Sequence, residues 1–185
     1  MGIIDKAFQA VPRQHFLPEE VRAQAWLDAP LPIGFGQTNS QPSTVYRMLE
    51  WLDAEPGNKV LDVGAGSGWT SALLGYIVGK KGRVYAVEKI PEILDFGRHN
   101  VEKLGVGNVR FFKAGPVFGL PQSAPFDRIL VSAAAAELPT GLIKQLKIGG
   151  RLVVPVKNDI LVIDKLSDTE TETEKHSGYQ FVPLV

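Results

Sequence analysis

The clearest chemical signal in the sequence is Val60-Leu61-Asp62-Val63-Gly64-Ala65-Gly66-Ser67-Gly68, an apolar run that enters a glycine-rich turn. Glycine in such a turn admits positive φ and lets a ligand approach the backbone closely. Further on, Glu88 closes a second apolar run, Val84-Tyr85-Ala86-Val87. An acid at that place can accept hydrogen bonds from both hydroxyls of a ribose. Asp62 puts negative charge beside the loop, which suits the amino group and sulfonium of S-adenosyl-L-methionine and repels a pyrophosphate. The spacing is GxGxG: Trp69 stands where a dinucleotide fingerprint has its last glycine, and no Lys-Ser or Lys-Thr follows to cradle phosphates. Taken singly, the glycines could be a plain strand-to-helix turn and Glu88 a solvated carboxylate. Together they describe a nucleoside site.

Other chemistry is sparse. The absence of cysteine excludes thiolate metal sites, iron–sulfur clusters, cysteine nucleophiles and disulfides. His15, His99 and His176 form no evident cluster; they read as a structural residue near a helix end, a solvent-facing helix residue and a member of a mobile loop. Asp127 reads as structural at a strand start, Glu137 as pocket lining or a helix cap, and Arg151 as a surface residue on a turn.

The elements that must position the glycine loop follow from periodicity. Residues 3–27 read as helical pieces interrupted by Pro12. Residues 28–42 hold three prolines and two glycines among apolar side chains, so they are neither a regular helix nor a central strand, yet too apolar for a solvated loop. From Pro42, the spacing of Val45, Met48, Leu49 and Leu52 predicts a helix that Pro56-Gly57 ends. Short strands then alternate with helices: strands at 59–63, 83–87, 109–113, 128–131 and 151–154, helices at 69–78, 91–104 and 140–146, with Gly149-Gly150 as a turn. This rhythm predicts a parallel sheet covered on both faces. Two last strands, 160–165 and 180–184, flank an acidic stretch at 167–178 that reads as an exposed hairpin loop.

The expected fold is therefore α/β: a doubly wound, mostly parallel Rossmann-like sheet with an antiparallel C-terminal edge and an N-terminal helical cap. At 185 residues, the chain is expected to form one domain, with a cover region at 1–57, a nucleoside-binding core at 58–155 and a C-terminal hairpin at 156–185. Lys+Arg and Asp+Glu both number 20, and this zero net charge weighs against a phosphate-backbone partner. No apolar run is long enough to span a bilayer, and the first residues lack a signal-peptide core. A cytoplasmic monomer with no nucleic-acid or membrane partner is expected.

Several stretches resemble the protein-L-isoaspartate O-methyltransferase family. They include Val11-Pro-Arg-Gln-His-Phe-Leu-Pro, Pro30-Leu-Pro-Ile-Gly-Phe-Gly-Gln-Thr-Asn-Ser-Gln-Pro42, the loop from Asp62 to Gly68, Ala133-Ala-Ala-Ala-Glu-Leu-Pro139, Gly149-Gly-Arg-Leu-Val-Val-Pro155 and Phe181-Val-Pro-Leu184. They stand in the family's order over nearly the whole chain, and the proline-glycine segment is the most specific of them. The resemblance implies methyl transfer from S-adenosyl-L-methionine to the free α-carboxylate of L-isoaspartyl residues in damaged proteins and peptides. Ser40 matches the active-site serine. Thr38, Asn39, Asp62, Gly64, Ala65, Gly66, Gly68, Glu88, Ala114 and Gly115 match cofactor positions. Val182, Pro183 and Leu184, with Ser40, match the substrate side. Ser40 could also cap the helix beginning at Pro42. Two departures stand out. Gly115 lies where the family has an acid near the adenine, and Asn39 lies where the family has an apolar residue. Another substrate on the same fold, or a weakly active cofactor-binding domain, are the alternative readings.

Overall fold

The computed structural model describes residues 1–184. Helices α1 (Ile3–Ala10) and α2 (Glu19–Arg22) flank a 3-10 turn at Arg13–Phe16 and lead into a hairpin of β1 (Leu31–Gly34) and β2 (Gln37–Asn39). Helix α3 (Pro42–Leu52) follows, then β3 (Lys59–Val63), α4 (Trp69–Val78), β4 (Arg83–Glu88), α5 (Pro91–Leu104), β5 (Val109–Lys113), β6 (Phe126–Val131), α6 (Thr140–Ile143), β7 (Leu146–Val156), β8 (Asp159–Lys165) and β9 (Thr171–Ser177). The seven-stranded sheet has the order β5-β4-β3-β6-β7-β8-β9. Its pairs are parallel from β5 to β7 and antiparallel from β7 to β9.

Alternation along the strands sorts the core onto two faces. Val60, Val84, Leu130, Val153 and Ile160 pack with α1, α3 and α4. Leu61, Val87, Ile129, Val131, Leu152 and Ile163 pack on the other face with Leu120, Leu142 and Leu146. Helix α3 buries the stripe read from its sequence, Val45, Met48, Leu49 and Leu52. Helix α4 is buried nearly all round, because it lies between the sheet and α1.

The chain doubles back at β3: β4 and β5 build outward on one side, β6 and β7 on the other. Such a reversal leaves a crevice at the carboxyl ends of the strands. The glycine loop follows β3, Glu88 ends β4, Ala114 follows β5 and Ser132 follows β6, so all four converge there.

Three expectations need correction. Residues 167–178 are not a loop: β9 pairs in full register with β8, from Lys165↔Thr171 to Asp159↔Ser177. Residues 180–184 are not a strand of the sheet; they form a short parallel bridge at Ala134↔Pro183, with Ala134 N donating to Val182 O and Leu184 N to Ala134 O. Gly149-Gly150 does not turn the chain but lies inside β7, at a register jump from Phe126↔Leu146 to Arg128↔Arg151. Arg151 is thus on a strand, its guanidinium paired with both carboxylate oxygens of Asp164 at 2.7 and 2.9 Å. His176, on β9, stacks on Trp51 with ring centroids 3.9 Å apart. The β1–β2 hairpin accommodates the prolines of residues 28–42 because it forms a separate two-stranded sheet with few ladder bonds to lose.

Candidate active site

Two cavities meet at the carboxyl ends of the strands. The first, about 360 Å3, is bounded by Gly64 and Gly66 of the glycine loop, Val87 and Glu88 of β4, Ala114–Phe118, Ile33 and Gln37 of the hairpin, and Val182–Leu184. The second, about 640 Å3, opens beside it, between Thr38, Ser40, Gln41, Ser43 and Thr44 on one side and Tyr179–Val182 on the other. Thr38 and Ser132 line both.

The glycine loop is held from three directions. Gly64 N and Ala65 N donate to Val87 O at 2.9 and 3.1 Å. Gly66 N donates to Glu88 Oε2 at 3.0 Å. Behind the loop, helix α5 approaches so closely that a Cβ on Gly97 would sit 2.5 Å from Gly66 O. A Cβ on Gly68 would sit 2.8 Å from Gly97 O, so Gly68 serves this contact rather than the cavity. The close approach that a third fingerprint glycine would allow is supplied here by the Gly68–Gly97 pair. Trp69 turns away, donating from Nε1 to Val11 O and meeting the Phe8 ring edge-on.

Glu88 has a double duty. Its Oε1 accepts from Lys89 N and Ile90 N at 2.8 and 3.0 Å while Oε2 accepts from Gly66 N. A carboxylate offers about four acceptor directions, so one remains towards the cavity for a hydroxyl. A nucleoside fits this cavity: a carboxylate at one wall, glycine backbone at the floor, and Val117 and Phe118 as an apolar slot for a base.

Asp62 does not reach the cavity. It is fully buried beneath the loop, with Ser71 Oγ donating to Oδ2 at 2.5 Å and Ser132 Oγ to Oδ1 at 3.4 Å. Burial pushes its carboxyl up to about 6, against the two hydroxyl hydrogen bonds. The direct cofactor contact expected of Asp62 is corrected to a place under the floor. Asn39 and Ala65 border only a gap of about 20 Å3 between hairpin and glycine loop. Thr38, Gly64, Gly66, Glu88, Ala114 and Gly115 do line the first cavity. Of the C-terminal residues expected on the substrate side, Val182 lines both cavities, whereas Pro183 and Leu184 face only the first.

Ser40 lines the second cavity, and its hydroxyl has no hydrogen-bond partner among the described residues. It is not the cap of α3. That place is served by Asp28, which accepts from Ser43 N at 2.9 Å and from Gln41 Nε2 at 3.0 Å. These bonds, the Ser43 amide foremost, hold the Asp28 carboxyl below its usual range. The backbone at Ser40 is fixed by Arg13, a buried guanidinium that donates to the carbonyl oxygens of Leu27, Ala29, Asn39 and Ser40 at 2.7–3.2 Å. Burial pulls this guanidinium down to about 10, still charged at neutral pH.

Ser132, Gln37 and the Val117-Phe118 pair escaped sequence reasoning. One signal was available for Ser132: it directly follows a parallel strand, where ligand crevices form. Among the described residues, no charged side chain lines the second cavity, and none of the three histidines lines either cavity.

The family model for protein-L-isoaspartate(D-aspartate) O-methyltransferase matches residues 2–185. A protein-L-isoaspartate O-methyltransferase of Methanopyrus kandleri is 44% identical over 98% of this chain and 83% of its own length. One from Aeropyrum pernix is 48% identical over 97% of this chain and 71% of its own. A solved protein-L-isoaspartate O-methyltransferase superimposes with a TM-score of 0.90 at 31% identity, over 99% of this chain and 61% of that one. A Plasmodium falciparum structure in complex with S-adenosyl-L-homocysteine shares the fold, with a TM-score of 0.87 at 22% identity, over 100% of this chain and 91% of that one. With this match along its length, and with the glycine loop, Glu88 and Ser40 gathered at one crevice, the chain belongs to the protein-L-isoaspartate O-methyltransferase family.

Proposed function

We propose that this protein methylates the free α-carboxylate of L-isoaspartyl residues in proteins and peptides, using S-adenosyl-L-methionine. One observation carries the reading beyond family membership: a nucleoside-sized cavity abuts a second one that is rich in hydroxyls and free of charged side chains.

Glu88 would hold the ribose, Gly64 and Gly66 the chain beyond it, and Val117 and Phe118 the base. The cofactor supplies, when bound, a methyl group on a sulfonium. Thr38 and Ser132 stand at the junction of the cavities, where transfer has to occur. Ser40 donates its free hydroxyl to the acceptor carboxylate and fixes its direction. An α-carboxyl has a pKa of roughly 3.5, so the acceptor is already ionised and no side chain needs to take a proton. The lack of histidine at the crevice agrees with that. With no lysine or arginine lining the second cavity, no fixed cation competes for the carboxylate. Alignment and exclusion of water are then the enzyme's main contributions. Zero net charge supports peptides over nucleic acid as acceptors. No helix among the described residues is long and apolar enough to cross a membrane.

The test is steady-state methylation of an isoaspartyl peptide between pH 5 and 8. Ser40→Ala should lower turnover by about tenfold to a hundredfold and change cofactor KM much less. The wild-type profile should lack a rise near 6.5. No base-labile methyl ester on the peptide would overturn the reading, and an unchanged rate in Ser40→Ala would remove Ser40 from it.

A further inference from the structure

Thr38 of strand β2 and Ser40 just past its end face the cavities, and Asn39 between them points the other way, into the protein. Its amide is engaged at both ends. Oδ1 accepts from Arg13 Nε at 2.7 Å, and Nδ2 donates to Ser67 Oγ at 3.0 Å. Ser67 belongs to the glycine loop, and its carbonyl accepts in turn from Asn100 Nδ2 of α5 at 3.1 Å. Among the described residues, the Asn39–Ser67 bond is the only hydrogen bond joining residues 28–42 to residues 64–68.

We propose that Asn39 is a positioning residue that couples the two cavities, so that a nucleoside seated on the glycine loop also fixes Thr38 and Ser40 for the acceptor. The inference rests on the methyltransferase reading above. A buried amide whose acceptor and donor are both engaged has no low-cost alternative orientation, because a flip sets Nδ2 against the Arg13 Nε–H and leaves that donor unpaired. A ligand seated at either end of the link bears on it, and through it on the other cavity. By linkage, the effect is reciprocal.

The experiment measures binding rather than turnover. The affinity of an isoaspartyl peptide is titrated with and without saturating S-adenosylhomocysteine. In the wild type, S-adenosylhomocysteine should tighten peptide binding about fivefold, the scale of one buried hydrogen bond. Asn39→Leu should abolish this ratio. Ser67→Ala cuts the same link from the loop side with Arg13 untouched, and should abolish it as well. Asn39→Asp should keep it, since the carboxylate accepts from Arg13 while the Ser67 hydroxyl turns to donate. A wild-type ratio of one, or an unchanged ratio in both Asn39→Leu and Ser67→Ala, overturns the coupling and leaves the methyltransferase reading intact. A wild type that binds S-adenosylhomocysteine but no isoaspartyl peptide in any state overturns both.

Discussion

Asp62→Asn isolates the electrostatics beneath the glycine loop. The Asp62 carboxyl is fully buried, and its pKa is raised from 3.8 to about 6, mainly by desolvation. Between these values the folded protein retains a proton that the unfolded chain has released. Stability therefore falls as pH rises through this window, and the whole penalty is present above about pH 6. At ~1.4 kcal/mol per pKa unit, the displacement amounts to ~3 kcal/mol. Asparagine keeps an oxygen for Ser71, can donate to Ser132 Oγ, and does not titrate. Urea unfolding of both proteins from pH 4 to 7.5 should show Asp62→Asn more stable at pH 7.5 by about 2–3 kcal/mol. The advantage should shrink towards zero at pH 4, where the wild-type carboxyl is protonated in the folded state. A stability difference independent of pH, or a wild type that gains on the variant as pH rises, would refute the placement under the loop of an ionisable carboxyl whose desolvation outweighs its two hydroxyl hydrogen bonds.

Three further substitutions probe the first cavity. Glu88→Gln keeps the side-chain shape but gives up an acceptor oxygen used by the chain's own amides, so S-adenosylhomocysteine binding should weaken by about tenfold or more by calorimetry, on the scale of charged hydrogen bonds. Gly97→Ala sets a Cβ against Gly66 O and Gly68 N, backbone atoms that cannot rotate aside; melting should fall by about 3–10 °C, together with cofactor affinity. Gly115→Asp enters open space, since nothing lies within 4 Å of the added Cβ; it should tighten S-adenosylhomocysteine binding by about fivefold, and unchanged or weaker binding would show that the base end is already satisfied.

What the sequence discloses is governed by how local the cause is. The stripe Val45, Met48, Leu49 and Leu52 encodes the buried face of α3 by spacing alone, and the Pro91 and Gly105 boundaries of α5 hold because both residues act through their own backbone. The β9 strand was hidden because Thr171–Ser177 is exposed almost throughout and has no apolar alternation; only pairing with β8 makes it a strand. The same division runs through the site. Gly64, Gly66 and Glu88 line the first cavity because each stands at or just past the carboxyl end of its own strand, a place that the local sequence marks. Asp62 looked like a ligand contact, but its direction is set by Ser71 on the helix after the loop. Asp28 was not recognised as the cap of α3, because it lies well upstream of the helix and folds back to it. The resemblance makes Asn39 a cofactor position, and its inward direction is hidden for a related reason: its partners, Arg13 and Ser67, are distant in sequence, and no periodicity signals them.

The most direct measurement offers the protein labelled S-adenosylmethionine together with an isoaspartyl peptide, its aspartyl twin and an RNA pool, and counts the label in each. The expected result is a base-labile methyl ester on the isoaspartyl peptide alone, with the rate flat through neutral pH. Equal labelling of the two peptides, or label in RNA with none in the isoaspartyl peptide, would contradict it.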